Sequence, residues 1–180
     1  MSEGSLAPPV DDDRDHVQGA ADAPVTLVEY GDYECPYCGM AYPIVKSLQR
    51  ALGDQLRFVF RNFPLADSHP HAEHAAEAAE AAAAQGSFWK MHDALYENQE
   101  HLDDDALASY ARELGLDSAR VAREIAEGTW AKRVREDFRS GVRSGVNGTP
   151  TFFVNGARYD GGWNDPERFL EALRASATRT

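Results

Sequence analysis

Short apolar runs and stretches of helical periodicity alternate along the chain. Residues 25–30 and 56–63 are mostly apolar and rich in β-branched and aromatic side chains, which predicts two buried strands. The segment between them predicts a helix over about 35–52. Pro36 suits the first helical position, and Gly53 ends the pattern. The chain therefore opens with a strand, a helix and a strand.

The middle of the chain, from about residue 69 to residue 144, shows helical patterns only. Its alanine-rich run over 72–84 is a strong helix former. Residues 103–114 predict another helix, with acidic residues in its first turn and Gly115 after it. Asp117 and Thr129 are candidate N-caps of two further helices, because their short side chains can accept from backbone N–H groups of a first turn. These patterns predict a block of several helices after the second strand.

The end of the chain returns to strand patterns. Residues 151–154 predict a third strand, and Asn155-Gly156 is a strong hairpin signal before a return strand over about 157–159. Asp165 then caps a final helix. The order predicts an α/β protein with a βαβ opening, a helical block and a ββα ending.

Charge and hydropathy narrow the possible functions. The net charge of −12 argues against a nucleic-acid-binding face, and no apolar run approaches the ~18 residues of a membrane span. Residues 1–15 are rich in Gly, Ser, Pro and Asp and predict a disordered tail. This start has no apolar core of a signal peptide, so a cytoplasmic location without membrane insertion is expected.

The chain has two cysteines, Cys35 and Cys38, at the start of the first predicted helix. Disulfide exchange needs an attacking thiolate and a nearby second thiol, and a Cys-x-x-Cys pair at a helix N-terminus supplies both. We expect Cys35 to be the nucleophile and Cys38 the resolving thiol. Glu29, on the preceding strand, is a candidate for exchanging a proton with Cys38.

Histidines leave a second interpretation open. His69, His71 and His74 are clustered, and His71 with His74 would share one helix face. Together with the cysteines they could form a mixed Cys/His metal site, which would make the chain a metal-binding or redox-sensing module. Polar histidines near a helix start are the simpler interpretation, so we predict no metal.

Several segments resemble the DsbA-like branch of the thioredoxin superfamily. The resemblance covers nearly the whole chain from about His16 onward. Its motifs are residues 25–38 with the CPYC sequence, 61–65, 69–72, 88–93, and 145–156 with Gly-Thr-Pro-Thr. Together these motifs are far more specific than a Cys-x-x-Cys pair alone.

The resemblance implies a thioredoxin-like fold with a helical domain inserted between its βαβ and ββα halves. On that basis residues 16–65 and 146–180 would form the thioredoxin-like domain, and 66–145 the insertion. The resemblance also implies a cis peptide bond before Pro150 and a buried acid at Glu29.

The same resemblance implies a protein thiol–disulfide oxidoreductase that acts on protein or peptide thiols and disulfides, with no cofactor beyond its own dithiol. Pro36, Tyr37, Thr149 and Pro150 would contact the substrate, and Tyr37 in the turn is expected to be exposed.

The Pro36-Tyr37 dipeptide departs from the Pro-His that is usual in the periplasmic oxidases of this branch, and it matches glutaredoxins instead. This departure predicts weaker oxidising power. The expected cytoplasmic location would expose the dithiol to a reducing pool, which favours a reductase or isomerase. The dipeptide also leaves a glutathione-linked reductase or transferase as an alternative.

Overall fold

A computed structural model describes residues 4–178 and shows a mixed α/β fold, as predicted. The strands are β1 (His16–Gln18), β2 (Val25–Gly31), β3 (Leu56–Asn62), β4 (Thr151–Val154) and β5 (Ala157–Tyr159). The helices are α1 (Pro36–Leu52), α2 (Ala72–Ala83), α3 (Phe88–Glu97), α4 (Asp104–Glu113), α5 (Ser118–Glu127), α6 (Ala131–Arg143) and α7 (Pro166–Ala177). The predicted order of strands and helices is confirmed, and β1 is an additional strand.

The strands form one sheet in the order β1-β3-β2-β4-β5. β4 runs antiparallel to β2, with Leu27 opposite Val154, and antiparallel to β5. The turn between β4 and β5 has positive φ angles at Asn155 (49°) and Gly156 (83°), as the tight hairpin turn with two left-handed residues requires. The predicted Asn-Gly hairpin is therefore confirmed.

The described chain forms two compact units. The first contains residues 4–31, 40–61 and 139–178, and the second contains 32–39 and 62–138. The predicted domain boundaries, with 16–65 and 146–180 around an insertion of 66–145, stay a prediction.

The first unit has an aromatic core between the sheet and its last helix. Phe169 on α7 meets the ring of Phe152 edge-on at 5.1 Å and stacks on Tyr159 at 4.6 Å. Asp165 accepts a hydrogen bond from the N–H of Arg168, so it caps α7 as predicted. Capping fixes where the helix begins, and Phe169 then points onto the sheet.

The second unit is organised around α2, whose alanines are almost all buried. Small side chains let other helices approach closely, and α2 contacts α3, α4 and α5. The predicted cap Asp117 is present at the start of α5, the predicted cap Thr129 stays a prediction, and Asp103 is an additional cap at the start of α4. Asp103 accepts from the N–H of Ala106, and Asp117 accepts from the N–H of Arg120. The alanine-rich run is thus the centre of a helical core.

The predicted disordered tail is wrong for its described part, residues 4–15; residues 1–3 lie outside the described chain. The N–H of Leu6 donates to the carbonyl of Gly156 (2.9 Å), and the N–H of Arg158 donates to the carbonyl of Gly4 (3.0 Å). Ser5 forms a β-bridge with Ala157. Residues 4–6 therefore lie along β5.

A buried arginine explains why the segment is ordered. The guanidinium of Arg61 on β3 has no solvent exposure, and it donates to both carboxylate oxygens of Asp15 (2.9 and 2.8 Å). It also donates to the carbonyls of Pro8 and Pro9 and to the hydroxyl of Tyr30. A buried guanidinium needs partners for its donors, and residues 8–15 supply most of them.

Candidate active site

Cys35 and Cys38 lie close together in the turn that begins α1. Both are reduced thiols and both are buried, with Cys38 fully so. The carbonyl of Cys35 accepts from the N–H of Gly39 (3.1 Å), as the first turn of a helix requires. Unpaired N–H groups and the positive end of the helix dipole favour a thiolate at this position. The predicted dithiol at a helix start is confirmed.

Asp32 lies in the loop before the cysteines and holds that loop in place through its backbone and its buried carboxylate. Its backbone N–H points at Sγ of Cys38 (3.5 Å), and its carbonyl accepts from the N–H of Cys35 (3.1 Å). Its carboxylate is fully buried and accepts from the N–H groups of Glu34 (2.8 Å) and Leu65 (2.9 Å). Asp32 therefore ties the dithiol turn to the segment that follows β3.

Gln99, just after α3, holds the same turn from another side. Its amide nitrogen donates to the carbonyls of Tyr33 (2.8 Å) and Cys35 (2.9 Å). Gly39 makes room for this amide, because a Cβ at position 39 would overlap the side-chain oxygen of Gln99. The two bonds fix the backbone on which Cys35 is carried.

Gly39→Ala is expected to lower the free energy of unfolding by about 1–2 kcal/mol, because the new methyl group displaces the Gln99 amide and its two hydrogen bonds. Urea unfolding of the four proteins of a double-mutant cycle measures the effect. With Gln99→Ala already present, Gly39→Ala should be neutral or stabilising by up to about 1 kcal/mol, since alanine favours a helix. Equal costs in both backgrounds would contradict this account.

Tyr33 anchors the loop to α3. Its ring is buried, lies 4.9 Å from the ring of Tyr96, and its hydroxyl is 3.0 Å from Nδ1 of His92. Tyr33 is thus a core residue, as most aromatic residues are. The loop between β2 and α1 is held by Tyr33, Asp32 and Gln99 together.

The three candidate metal ligands are not brought together. Nδ1 of His69 bonds the carboxylate of Asp32 (2.7 Å), whereas Nδ1 of His71 bonds Glu34 (2.9 Å). His74 instead pairs with Asp104 on α4 (2.6 Å). Within residues 4–178, no group of three or more His, Cys, Asp or Glu side chains is arranged to hold a metal ion.

The other predicted site residues are placed as follows. Tyr37 is 62% exposed, which confirms its predicted place in the turn, and Pro36 is exposed beside it. Glu29 is buried on β2, in register with Phe152 of β4. The Thr149–Pro150 peptide bond is cis and directly precedes β4. The roles of Glu29, Thr149 and Pro150 stay predictions.

Known proteins share the fold of this chain. A family model described as thioredoxin matches residues 11–175. The structure of oxidised BdbD from Bacillus subtilis covers 98% of this chain and 98% of its own, with a TM-score of 0.85 and 25% identity. A thioredoxin-like oxidoreductase from Silicibacter pomeroyi covers 94% of this chain and 95% of its own, with a TM-score of 0.81 and 29% identity.

A curated relative is longer than this chain. A Salinispora arenicola protein named Na(+)/H(+) antiporter NhaA 1 is 50% identical over 99% of this chain, which spans 27% of that protein. Among the helices of residues 4–178, none has the length and apolarity that crossing a bilayer requires.

Proposed function

Because this chain belongs to the thioredoxin family, we propose that it is a thiol–disulfide oxidoreductase that exchanges disulfides with protein substrates through Cys35 and Cys38. Its thioredoxin-like fold and the resemblance to DsbA-like proteins are confirmed by the matches described above. The observation that carries the proposal is the pair of adjacent thiols at the N-terminus of α1. The proposal concerns only the part of the Salinispora arenicola protein that this chain matches. It does not concern the transport that the name of that protein describes.

The exchange needs only the two thiols. The Cys35 thiolate attacks one sulfur of a substrate disulfide, so a mixed disulfide forms and the other substrate sulfur leaves as a thiolate. The Cys38 thiol then loses its proton and attacks the sulfur of Cys35. The second substrate sulfur leaves, the substrate gains two electrons, and the chain holds a Cys35–Cys38 disulfide. Oxidation of a substrate dithiol is the reverse sequence.

We also assign supporting roles to Glu29, Pro36, Tyr37 and Thr149. Glu29 is buried, so its carboxylate is suited to exchange a proton with Cys38 during the second step. The exposed Pro36 and Tyr37 would contact the polypeptide beside the scissile disulfide. Thr149, which precedes the cis peptide bond, would offer backbone groups to a substrate strand.

The direction of exchange is part of the proposal. The Pro36-Tyr37 dipeptide carries no histidine, so it adds no positive charge to the turn between the cysteines. We assign the chain to the cytoplasm, where a moderately reducing dithiol would reduce or isomerise disulfides. Protein thiols and disulfides are its proposed partners.

The reduction potential of the Cys35–Cys38 pair tests this function. The protein is equilibrated in glutathione buffers of graded ratio, and its free thiols are alkylated and counted by mass spectrometry. We expect a single transition between about −200 and −270 mV. A potential near about −120 mV would contradict the reductive direction and the cytoplasmic assignment. If no disulfide forms at any ratio, the proposed function itself is wrong.

A further inference from the structure

His69 and Asp32 form a partly buried pair beside the dithiol turn, and the exchange mechanism does not use it. Nδ1 of His69 lies 2.7 Å from a carboxylate oxygen of Asp32. The Asp32 side chain has no solvent exposure, and that of His69 retains 19%. His69 lies in the segment between β3 and α2, whereas Asp32 lies in the loop between β2 and α1, so this histidine is not the one that the Pro36-Tyr37 dipeptide lacks.

Asp32 holds both the imidazole of His69 and the backbone of the cysteine turn in place. Its carboxylate also accepts from the backbone of Glu34 and Leu65, while its own backbone N–H and carbonyl contact Cys38 and Cys35. A carboxylate with these bonds cannot turn away without breaking the turn. The imidazole that it binds is therefore held in a fixed place relative to the thiols.

The charges around His69 favour its protonated form. Partial burial by itself lowers the pKa of His69. The hydrogen bond to Asp32 and the negative charges of Asp32, Cys35 and Glu34 together outweigh burial and raise that pKa above its ordinary value. His71 also faces this group, through its bond to Glu34. Because a Coulomb interaction is mutual, a Cys35 thiolate that stabilises the imidazolium is stabilised by it equally.

We propose that the imidazolium of His69, positioned by the buried carboxylate of Asp32, supplies the positive charge that stabilises the Cys35 thiolate. This inference rests on the proposed function, since it names the residue that tunes the attacking thiol. Asp32 acts through His69 and is a positioning residue. The charge comes from a segment that is distant in sequence from the CPYC turn.

Thiol chemistry determines in which direction the charge of His69 shifts the reduction potential of the Cys35–Cys38 pair. A thiolate exists only in the reduced dithiol, so its stabilisation favours the reduced protein and makes the disulfide a stronger oxidant. His69 loses its charge as the pH rises through its raised pKa, and this contribution then disappears. The Cys35–Cys38 disulfide should therefore be a stronger oxidant with His69 protonated than with His69 neutral.

The test measures the rate of Cys35 alkylation by iodoacetamide from about pH 4 to 9, with mass spectrometry to identify the modified cysteine. In His69→Gln we expect the midpoint, which reports the Cys35 thiol pKa, to rise by about one unit. The population of the disulfide in a fixed glutathione buffer should rise about three- to tenfold relative to the dithiol. An alkylation profile unchanged in His69→Gln would overturn the inference.

His71→Gln is the matched control, because it removes a more exposed histidine that pairs with Glu34 instead of Asp32. Its profile should match that of the parent chain. An equal rise in both variants would overturn the assignment to His69. These alkylation rates need no disulfide, so they decide the inference even if the redox titration rejects the proposed function.

A second measurement does not depend on whether His69→Gln folds. The imidazole resonances of His69 are titrated by NMR in the reduced chain and in Cys35→Ser. We expect the His69 pKa to fall in Cys35→Ser, because the thiolate charge is absent. Equal titration midpoints in the two proteins would overturn the inference.

Discussion

Cys35→Ser is expected to abolish disulfide exchange, whereas Cys38→Ser is expected to keep the first step and stop at the mixed disulfide. A serine hydroxyl at position 35 stays protonated at neutral pH and cannot attack a disulfide sulfur. Without the thiol of Cys38, nothing within the turn releases the substrate. The measurement is reduction of a protein disulfide, with mixed disulfides detected on non-reducing gels.

The two variants also separate the proposed function from its alternative. Sustained turnover by Cys38→Ser with glutathione as the only reductant would indicate a monothiol route and a glutathione-linked enzyme. Mixed disulfides that accumulate at Cys35 without turnover would support exchange with protein substrates. Normal turnover by Cys35→Ser would contradict the assignment of the nucleophile.

Arg61→Ala is expected to lower the free energy of unfolding by about 3–5 kcal/mol. The substitution leaves the buried carboxylate of Asp15 without its guanidinium and removes the donors that hold the carbonyls of Pro8 and Pro9. Removing one partner of a buried ion pair leaves an uncompensated charge, which is why the effect is large. Urea unfolding followed by circular dichroism measures it.

Arg57→Ala is the control, because Arg57 also pairs with the N-terminal segment but through Asp12, which is 64% exposed. Because Asp12 is exposed, we expect its pair with Arg57 to contribute about 1 kcal/mol or less to the free energy of unfolding. The double replacement Asp15→Leu with Arg61→Met should recover part of the stability, since neither charge is then left alone. Equal costs for Arg57→Ala and Arg61→Ala would show that burial of the pair does not matter.

The buried pair of Asp15 and Arg61 also predicts how the free energy of unfolding depends on pH. Burial by itself raises the pKa of Asp15, but the hydrogen bond from Arg61, a backbone bond within residues 11–15 and the nearby positive charges lower it below the ordinary 3.8. A carboxyl whose pKa is lower in the folded state contributes stability above 3.8. That contribution is lost as the pH falls through the folded-state pKa. Arg61→Ala should remove this part of the acid sensitivity.

The sequence predicted most of the secondary structure because its periodicities are local. The strands over 25–31 and 151–154 are mostly apolar, and Asp117 and Asp165 lie where helices begin. The three residues of β1 are too few to show any period, so this strand was missed. Residues 4–15 were mistaken for a disordered tail because their order depends on Arg61, 46 positions beyond Asp15.

The active site was predicted in part for a similar reason. Cys35 and Cys38 are recognised by their spacing and by Pro36 at the helix start. Gln99 carries no motif, and its role depends on a contact with carbonyls 64 and 66 positions away. The sequence marks His69 as a possible metal ligand, whereas its partner Asp32 belongs to no pattern that predicts a bond to a histidine. Only the fold shows that the histidine is bound to a carboxylate.

The N-terminal segment along β5 has a consequence for self-association. β5 is an edge strand of the sheet, and residues 4–6 pair with it through Ser5 and the backbone of Leu6. The opposite edge, β1, is only three residues long. Open edges of sheets invite pairing with strands of other chains and hence aggregation. The protein substrates proposed above would present such strands, and these short or covered edges leave them little to pair with.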